Sequence, residues 1–242
     1  MPTSPVPLPR TPVSLPRTPT AALPRLVALH RATAVGERVT VTAPGSRWDR
    51  SRLADLLVGG GLAPGRIGAV ADGLRVTAVR QCSLPDTVAP QMRLLMCGLN
   101  PSVYSAEAGI GFARPGNRYW PAALEAGIVT VDRDPDAALR DHGIGMTDVV
   151  KRATPRADEL AADEYLAGLA RLERLVAWLR PGAVCFVGLA GWRTLHKKAV
   201  AGVQPDSLGG RPVYVMPSTS GLNARVPRSE LAEHLRAAYD LA

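Results

Sequence analysis

Three short stretches of this sequence combine residue types that suit chemistry on a flat, polar ligand, and the first is "GLNPS", Gly98 to Ser102. It directly follows the apolar run "RLLMC". Gly98 permits a sharp turn and leaves room for a ligand beside the backbone, while Pro101 stiffens the turn. Asn100 then presents an amide, which offers N–H donors and an acceptor oxygen but is not a strong base. Such a group suits a reaction in which the leaving group departs first and a water molecule only has to be held in place.

An aromatic residue follows on the same segment. Phe112 stands 12 residues after Asn100, bracketed by glycines in "GIGFARPG". A ring on such a loop is able to stack on a flat heterocycle. A lone phenylalanine is more often part of a hydrophobic core, so both interpretations stay open.

The second stretch is "MPSTSGLNAR", Met216 to Arg225. Its small hydroxyl side chains and its backbone N–H groups suit the binding of phosphates. Leu222 stands in this polar loop, where it either covers the core or acts as a wedge of the kind that opens base steps in a duplex.

The third stretch is "GMTDVVKRATPRADEL", Gly145 to Leu160. Asp148 is followed in it by Lys151, Arg152 and Arg156. The carboxylate either forms an ion pair at the surface or lines a pocket, where it contacts a base or acts as a general base.

Regular α/β patterning surrounds these stretches and predicts how they are positioned. Short apolar runs at 93–98, 182–188 and 211–217 end in Gly or Pro, as expected of strands buried on both faces of a parallel sheet. Helical periodicity covers 162–180, with Leu166 on its apolar face, and a closing helix is expected at 229–241. We therefore predict an α/β fold, a three-layer α/β/α sandwich with a central, mainly parallel sheet. Ligands bind such sheets beyond the carboxyl ends of the strands, which is where the loops after Gly98 and Met216 lie.

The chain divides into three predicted segments. Residues 1–27 repeat "LPRTP" and are expected to form a disordered, Pro-rich basic tail. Residues 28–83 are expected to form a small α/β extension of unknown role, with two strands and a helix that Ser46 caps. Residues 84–242 form the main domain.

Composition limits the classes of function. The net charge is +8 over 242 residues, which suits a polyanionic partner such as nucleic acid, although an arginine-rich coding bias would also produce it. Three scattered cysteines resemble buried thiols, and without a Cys/His cluster no zinc or iron–sulfur site is expected. We expect no metal, no cofactor and no membrane-spanning segment.

Together the three stretches resemble the mismatch-specific uracil-DNA glycosylase and thymine-DNA glycosylase branch of the uracil-DNA glycosylase superfamily. The resemblance covers roughly residues 84–240 and is carried by "GLNPS", "GFARPGNRYW", "TDVVKRATPRADEL" and "MPSTSGL". It implies a monofunctional enzyme that flips a uracil or related damaged base out of mismatched double-stranded DNA and hydrolyses its N-glycosidic bond.

The resemblance also implies residue roles. Asn100 positions the attacking water, and Asp148, at a position where family members vary, shares or takes over that role. Asn117 and Arg118 brace a loop. Leu222 fills the space that the flipped base leaves. The residues assigned to base binding are Gly98, Leu99, Ser102 and Phe112. The residues assigned to DNA binding are Ser218, Thr219, Ser220, Gly221, Leu222, Asn223 and Arg225.

Two other functions stay open at this point. One is a non-catalytic protein that binds mismatched or damaged DNA through the same loops, and the other is an α/β hydrolase of free nucleosides. By the resemblance we expect a monomer in the bacterial cytoplasm, associated with the nucleoid. The sequence does not rank uracil against thymine, ethenocytosine, xanthine or hypoxanthine.

Overall fold

The computed structural model describes residues 12–221, 223 and 225–242. A short 3-10 helix at Ala157–Glu159 precedes the longest helix. In chain order the other elements are β1 (Val13–Ser14), α1 (Pro19–Ala32), β2 (Arg38–Ala43), α2 (Arg50–Gly59), β3 (Leu62–Pro64), β4 (Gly68–Val70), β5 (Gly73–Arg80), β6 (Leu94–Gly98), α3 (Val103–Ala108), α4 (Tyr119–Glu125), α5 (Pro135–His142), β7 (Ile144–Asp148), α6 (Ala162–Leu179), β8 (Ala183–Val187), α7 (Leu189–Arg193), β9 (Gly202–Val203), β10 (Val213–Met216) and α8 (Arg228–Asp240).

The central sheet has the strand order β7-β6-β8-β10-β9. The first four strands are parallel, and β9 pairs antiparallel with β10 at the edge. The three apolar runs of the sequence form β6, β8 and β10, because side chains buried on both faces remove the need for polar alternation. The predicted α/β fold with a mainly parallel sheet is confirmed.

Helices cover both faces of this sheet. Successive side chains of a strand point to opposite faces, so Leu94 and Met96 pack into one hydrophobic cluster and Leu95 and Cys97 into another. The first cluster contains apolar residues of α4 and α8, and the second contains the buried side of α6. This arrangement gives the predicted three layers.

A second five-stranded sheet lies N-terminal to the first, in the order β1-β2-β5-β3 with β4 also paired to β5. The prediction of a disordered tail was wrong for residues 12–27, which form β1 and the start of α1. Pro19 is tolerated there because the first turn of a helix needs no N–H donor, and burial of Leu15, Ala22 and Leu26 stabilises the segment. Residues 1–11 lie outside the described residues.

Two local predictions were also wrong. The cap of α2 is Asp49, whose side chain accepts a hydrogen bond from the Arg52 backbone N–H at 2.7 Å, and Ser46 is not the cap. Leu166 lies on the solvent side of α6 and is 53% exposed, because the packed face of the helix begins one turn later at Leu169.

The two sheets are joined by a shared hydrophobic cluster. Arg174 of α6 forms a 2.8 Å ion pair with Asp55 of α2, and the Asp86 backbone N–H donates to the Gly59 carbonyl at 2.8 Å. A boundary at residue 84 therefore stays a prediction. Within the described ranges, no helix has the length and apolar character needed to cross a membrane.

Candidate active site

A cleft of about 570 Å³ opens at the carboxyl ends of the parallel strands. Gly98 at the end of β6 lies opposite Asp148 at the end of β7 in the strand register. A side chain on Gly98 would collide with the Asp148 carboxylate and would reach within 3.5 Å of the Phe112 ring. Glycine is therefore required where these two groups approach the strand end.

The loops after β6 and β7 continue to pair beyond the sheet. The backbone N–H groups of Val149 and Val150 donate to the carbonyls of Gly98 and Leu99, both at 2.9 Å. Farther out, the Thr154 N–H donates to the Pro101 carbonyl at 3.2 Å. The first and third stretches of the sequence analysis thus form one rigid wall of the cleft.

Asn100 is locked between these loops by its amide nitrogen. Nδ2 donates to the carbonyl of Arg152 at 3.2 Å and to that of Pro101 at 3.3 Å, and to Thr154 Oγ1 at 2.7 Å. Thr154 Oγ1 uses its own proton on the Arg156 carbonyl at 2.7 Å, so it accepts from the amide. Three acceptors surround this nitrogen, so the amide is oriented with Nδ2 toward the two loops. Among the described residues, none donates a hydrogen bond to the amide oxygen, Oδ1. That oxygen remains available to a water molecule.

Asp148 is a buried carboxylate, 6% exposed, so the interpretation as a surface ion pair was wrong. Burial raises the pKa of Asp148 to about 6, against the opposing charge of Lys151, whose Nζ lies 3.7 Å from Oδ2. Arg152 and Arg156 pair with Glu164 and Asp158 instead. Asp148 is therefore ionised near neutral pH but holds a proton more readily than an ordinary aspartate.

Phe112 lines the cleft in a strained backbone conformation, with φ of +58°. Its ring stacks on Tyr119, with centroids 4.3 Å apart and planes 25° from parallel. Tyr119 is fully buried and packs edge-on against Trp120, whose Nε1 donates to the Gly111 carbonyl at 2.8 Å. A left-handed conformation in a bulky residue is uncommon and clusters at functional sites. The ring therefore packs, partly buried, against the core cluster that contains Tyr119, and it also forms a fixed wall of the cleft.

The two remaining residues assigned to base binding have structural tasks as well. Ser102 caps α3, where its Oγ accepts from the Ser105 backbone N–H at 3.1 Å. Leu99 lines the cleft. Its side chain lies near α7, with Cδ1 3.4 Å from the position that a Cβ on Gly191 would take. Whether Leu99 and Ser102 contact a base stays a prediction.

The loop after β10 forms the opposite wall of the cleft. Ser218, Thr219 and Ser220 line it, and the Asn223 side chain donates to the Ser218 carbonyl at 3.0 Å. Gly221 and Arg225 are exposed. The predicted wedge, Leu222, lies outside the described residues.

Arg118 braces this loop from the neighbouring segment. Its backbone N–H donates to the Thr219 carbonyl at 2.9 Å, and its guanidinium donates to the carbonyls of Asn223, at 2.6 Å, and Val226. Asn117 caps the following turn by accepting from the Tyr119 N–H at 2.9 Å. Arg118 therefore braces the loop after β10, as predicted, whereas Asn117 stabilises the turn that begins α4.

Three residues behind the site were not predicted from the sequence. Thr154 orients the Asn100 amide. Asp86 pairs with Lys151 and with Arg171, and Arg171 also donates to the Asp148 carbonyl. No local signal marks them, because each acts on a residue more than 20 positions away. No group of three or more potential metal ligands is found in the part of the chain that is described.

The family of the chain follows from comparison with known proteins. Residues 85–241 match the family described as the uracil DNA glycosylase superfamily. Among solved structures, the chain is similar to a solution NMR structure of a candidate uracil DNA glycosylase from Methanosarcina acetivorans. The identity is 18% and the TM-score 0.43, over 66% of this chain and 96% of that chain. This structural likeness is too distant to support a conclusion about function.

Proposed function

Since the chain belongs to the uracil DNA glycosylase superfamily, we propose that it removes uracil, or a related deaminated base, from mismatched double-stranded DNA and leaves an abasic site. Two parts of this proposal go beyond the family assignment. They are that the chain belongs to the mismatch-specific branch and that it only hydrolyses the N-glycosidic bond.

One observation carries the proposal. The cleft combines three groups. They are the amide oxygen of Asn100, to which no described residue donates a hydrogen bond, the buried carboxylate of Asp148 and the fixed ring of Phe112. A base that is turned out of the duplex would stack on the ring, and its sugar would then lie toward the two polar groups. Water placement and charge stabilisation are what this hydrolysis needs, because the base departs as an anion from an oxocarbenium-like sugar.

In the proposed reaction the bond between C1′ and the base nitrogen breaks, and its electron pair stays on the base. Asn100 Oδ1 accepts a hydrogen bond from the water, whose oxygen then bonds to C1′. The Asp148 carboxylate stabilises the positive sugar and takes the proton that the water releases. Asp148 then releases this proton to solvent and the base anion takes one up, so the products are the neutral free base and an abasic deoxyribose. No covalent enzyme intermediate forms.

The loop after β10 is proposed to hold the DNA backbone during this step. Ser218 and Ser220 offer small polar groups beside the cleft, as phosphate contacts require, whereas Thr219 is buried and is proposed to support the loop through its carbonyl. Leu222 is proposed to enter the duplex as the wedge that replaces the flipped base.

The test is release of free base from a duplex with one G·U pair, followed by alkaline cleavage at the abasic site. A·U, G·T and single-stranded substrates measure selectivity, and free deoxyuridine tests a nucleoside hydrolase. Asn100→Ala and Asp148→Asn are each expected to lower the single-turnover rate by about 10²-fold or more. The matched control Asp240→Asn alters an exposed aspartate that pairs with Arg236 and is expected to retain the wild-type rate.

Two results would contradict the proposal. Absence of base release at stoichiometric enzyme, together with tight and salt-dependent binding of the G·U duplex, would favour a non-catalytic DNA-binding protein. Full activity of both Asn100→Ala and Asp148→Asn would contradict the assignment of the site.

A further inference from the structure

Four charged side chains form a buried cluster directly behind the cleft. Asp148 is one of them, and the others are Asp86, Lys151 and Arg171, with exposures of 9%, 7% and 4%. They come from four places in the chain, namely the segment before β6, the end of β7, the loop after it, and α6. We call this set the buried quartet.

The contacts within the buried quartet are hydrogen bonds around Asp86 and a longer ion pair between Lys151 and Asp148. Lys151 Nζ lies 2.7 Å from Asp86 Oδ1 and 3.7 Å from Asp148 Oδ2. Arg171 donates from Nη1 to Asp86 Oδ2 at 2.8 Å and from Nη2 to the Asp148 carbonyl at 3.3 Å. Thr147 Oγ1 adds a 2.7 Å hydrogen bond to Asp86 Oδ1. Asp86 therefore anchors both cations, and Lys151 connects Asp86 to Asp148.

The charges of the buried quartet balance only when Asp148 is ionised. Two carboxylates then face two cations, whereas protonation of Asp148 would leave one uncompensated positive charge among buried side chains, which is costly. We propose that Lys151 and Asp86 are positioning residues that together set the charge on Asp148 and thereby the pH range of the reaction. This inference rests on the proposed function, because it assumes that ionised Asp148 takes part in base release.

The pKa values agree with this arrangement. Burial alone would favour protonated Asp86, but Arg171 and Lys151 outweigh it, and the pKa of Asp86 lies below its ordinary value. Two further titratable groups face the buried quartet. Burial, with Asp148 adding to it, raises the pKa of the Cys97 thiol on β6 well above its ordinary value, so this thiol stays neutral. Burial lowers the pKa of His30 to about 4, with Arg80 and Lys151 adding to the effect, so His30 is also neutral where activity would be measured.

The N-terminal sheet region contributes to this cluster through α2. A side chain on Gly59 would collide with the Asp86 carboxylate, and the Gly59 carbonyl accepts the Asp86 N–H. The end of α2 thus packs directly against Asp86. Residues 12–83 acquire a role from this contact, which is to hold Asp86 against Lys151.

The experiment measures the single-turnover rate of base release from a G·U duplex between pH 5 and pH 9.5. Lys151→Met removes one positive charge. The acid limb of the profile, which is the fall in rate at low pH, is expected to move to higher pH by about one to three units. This magnitude is the Coulomb energy of a charge 3.7 Å from the carboxylate at an effective dielectric constant of about 20 to 80. Asp86→Asn removes one negative charge and is expected to move the limb to lower pH. The double variant restores the balance and is expected to return the limb toward that of the wild type.

Controls separate charge from packing. Lys151→Arg keeps the charge and is expected to restore the wild-type profile. Arg174→Met removes an ion pair from the same helix, with Asp55, and is expected to leave the profile unmoved. Thermal unfolding followed by circular dichroism establishes which variants are folded. If Asp86→Asn fails to fold, the comparison of Lys151→Met with Lys151→Arg still tests whether the charge on Lys151 sets the pH profile.

A readout independent of activity is the titration of the Asp148 carboxyl carbon by NMR in the free protein, assigned with Asp148→Asn. In each variant, the pH midpoint of this titration is expected to shift in the same direction as the acid limb of the rate profile. Folded Lys151→Met with an unmoved carboxyl titration would overturn the inference. A moved titration without base release by the wild type would leave the charge coupling correct and would refute the proposed function.

Discussion

Gly98→Ala tests whether the site depends on the close approach of a carboxylate to a strand end. The added methyl group would overlap Asp148 Oδ1 and come within 3.5 Å of Phe112 Cζ. The other oxygen of Asp148 faces Lys151, so rotation of the carboxylate away from the methyl group would break this ion pair. Relief therefore requires displacement of the carboxylate, of the ring, or of the end of β6.

The expected cost has two parts. Overpacking of this kind destabilises a folded protein by about 1–3 kcal/mol, and a displacement of about 1 Å of a group at a reacting centre lowers the rate by about 10²-fold. The assay is single-turnover base release from a G·U duplex, with thermal unfolding followed in parallel. Gly111→Ala is the matched control, because a methyl group there meets Leu84 and Met146 at ordinary distances of 3.6 Å in the same cleft region. A folded Gly98→Ala variant with the wild-type rate would show that the position of Asp148 does not matter.

Three further results are expected. Because the pKa of Asp148 is about 6, the wild-type single-turnover rate should fall about tenfold between pH 7 and pH 5, and a rate independent of pH over this interval would contradict a role for its carboxylate. The pKa of His30 is about 4 in the folded protein and 6.5 in the unfolded chain. As the pH drops, the unfolded chain therefore binds a proton at His30 before the folded protein does. The free energy of unfolding consequently falls between pH 6.5 and pH 4. Urea unfolding should show a loss of up to about 1.4 kcal/mol per pH unit from this group, relative to a His30→Gln variant, and no loss from it above pH 6.5. Deletion of residues 1–83 should expose the part of the shared hydrophobic cluster that the N-terminal region covers and abolish cooperative thermal unfolding, whereas a soluble and active 84–242 fragment would establish an independent domain.

Much of the central fold could be predicted from the sequence because its signals are local. The apolar runs that became β6, β8 and β10 have the length and the Gly or Pro ends of buried strands, and α6 has helical periodicity. Composition was a poorer guide near the N-terminus. The proline-rich pattern suggested disorder over residues 12–27, but the burial of Leu15 and Leu26 against distant residues outweighs the lost backbone donors.

The sequence by itself determined which chemical groups stand at the ends of the strands, namely the amide of Asn100, the carboxylate of Asp148 and the ring of Phe112. Only the tertiary structure decided the state of each group. The acceptors on Arg152 and Thr154 orient the amide, and burial beside Lys151 sets the charge of the carboxylate. The physical reason is that turns and strands follow from neighbouring residues, whereas the pKa of a buried group and the direction of an amide depend on distances between residues far apart in the chain.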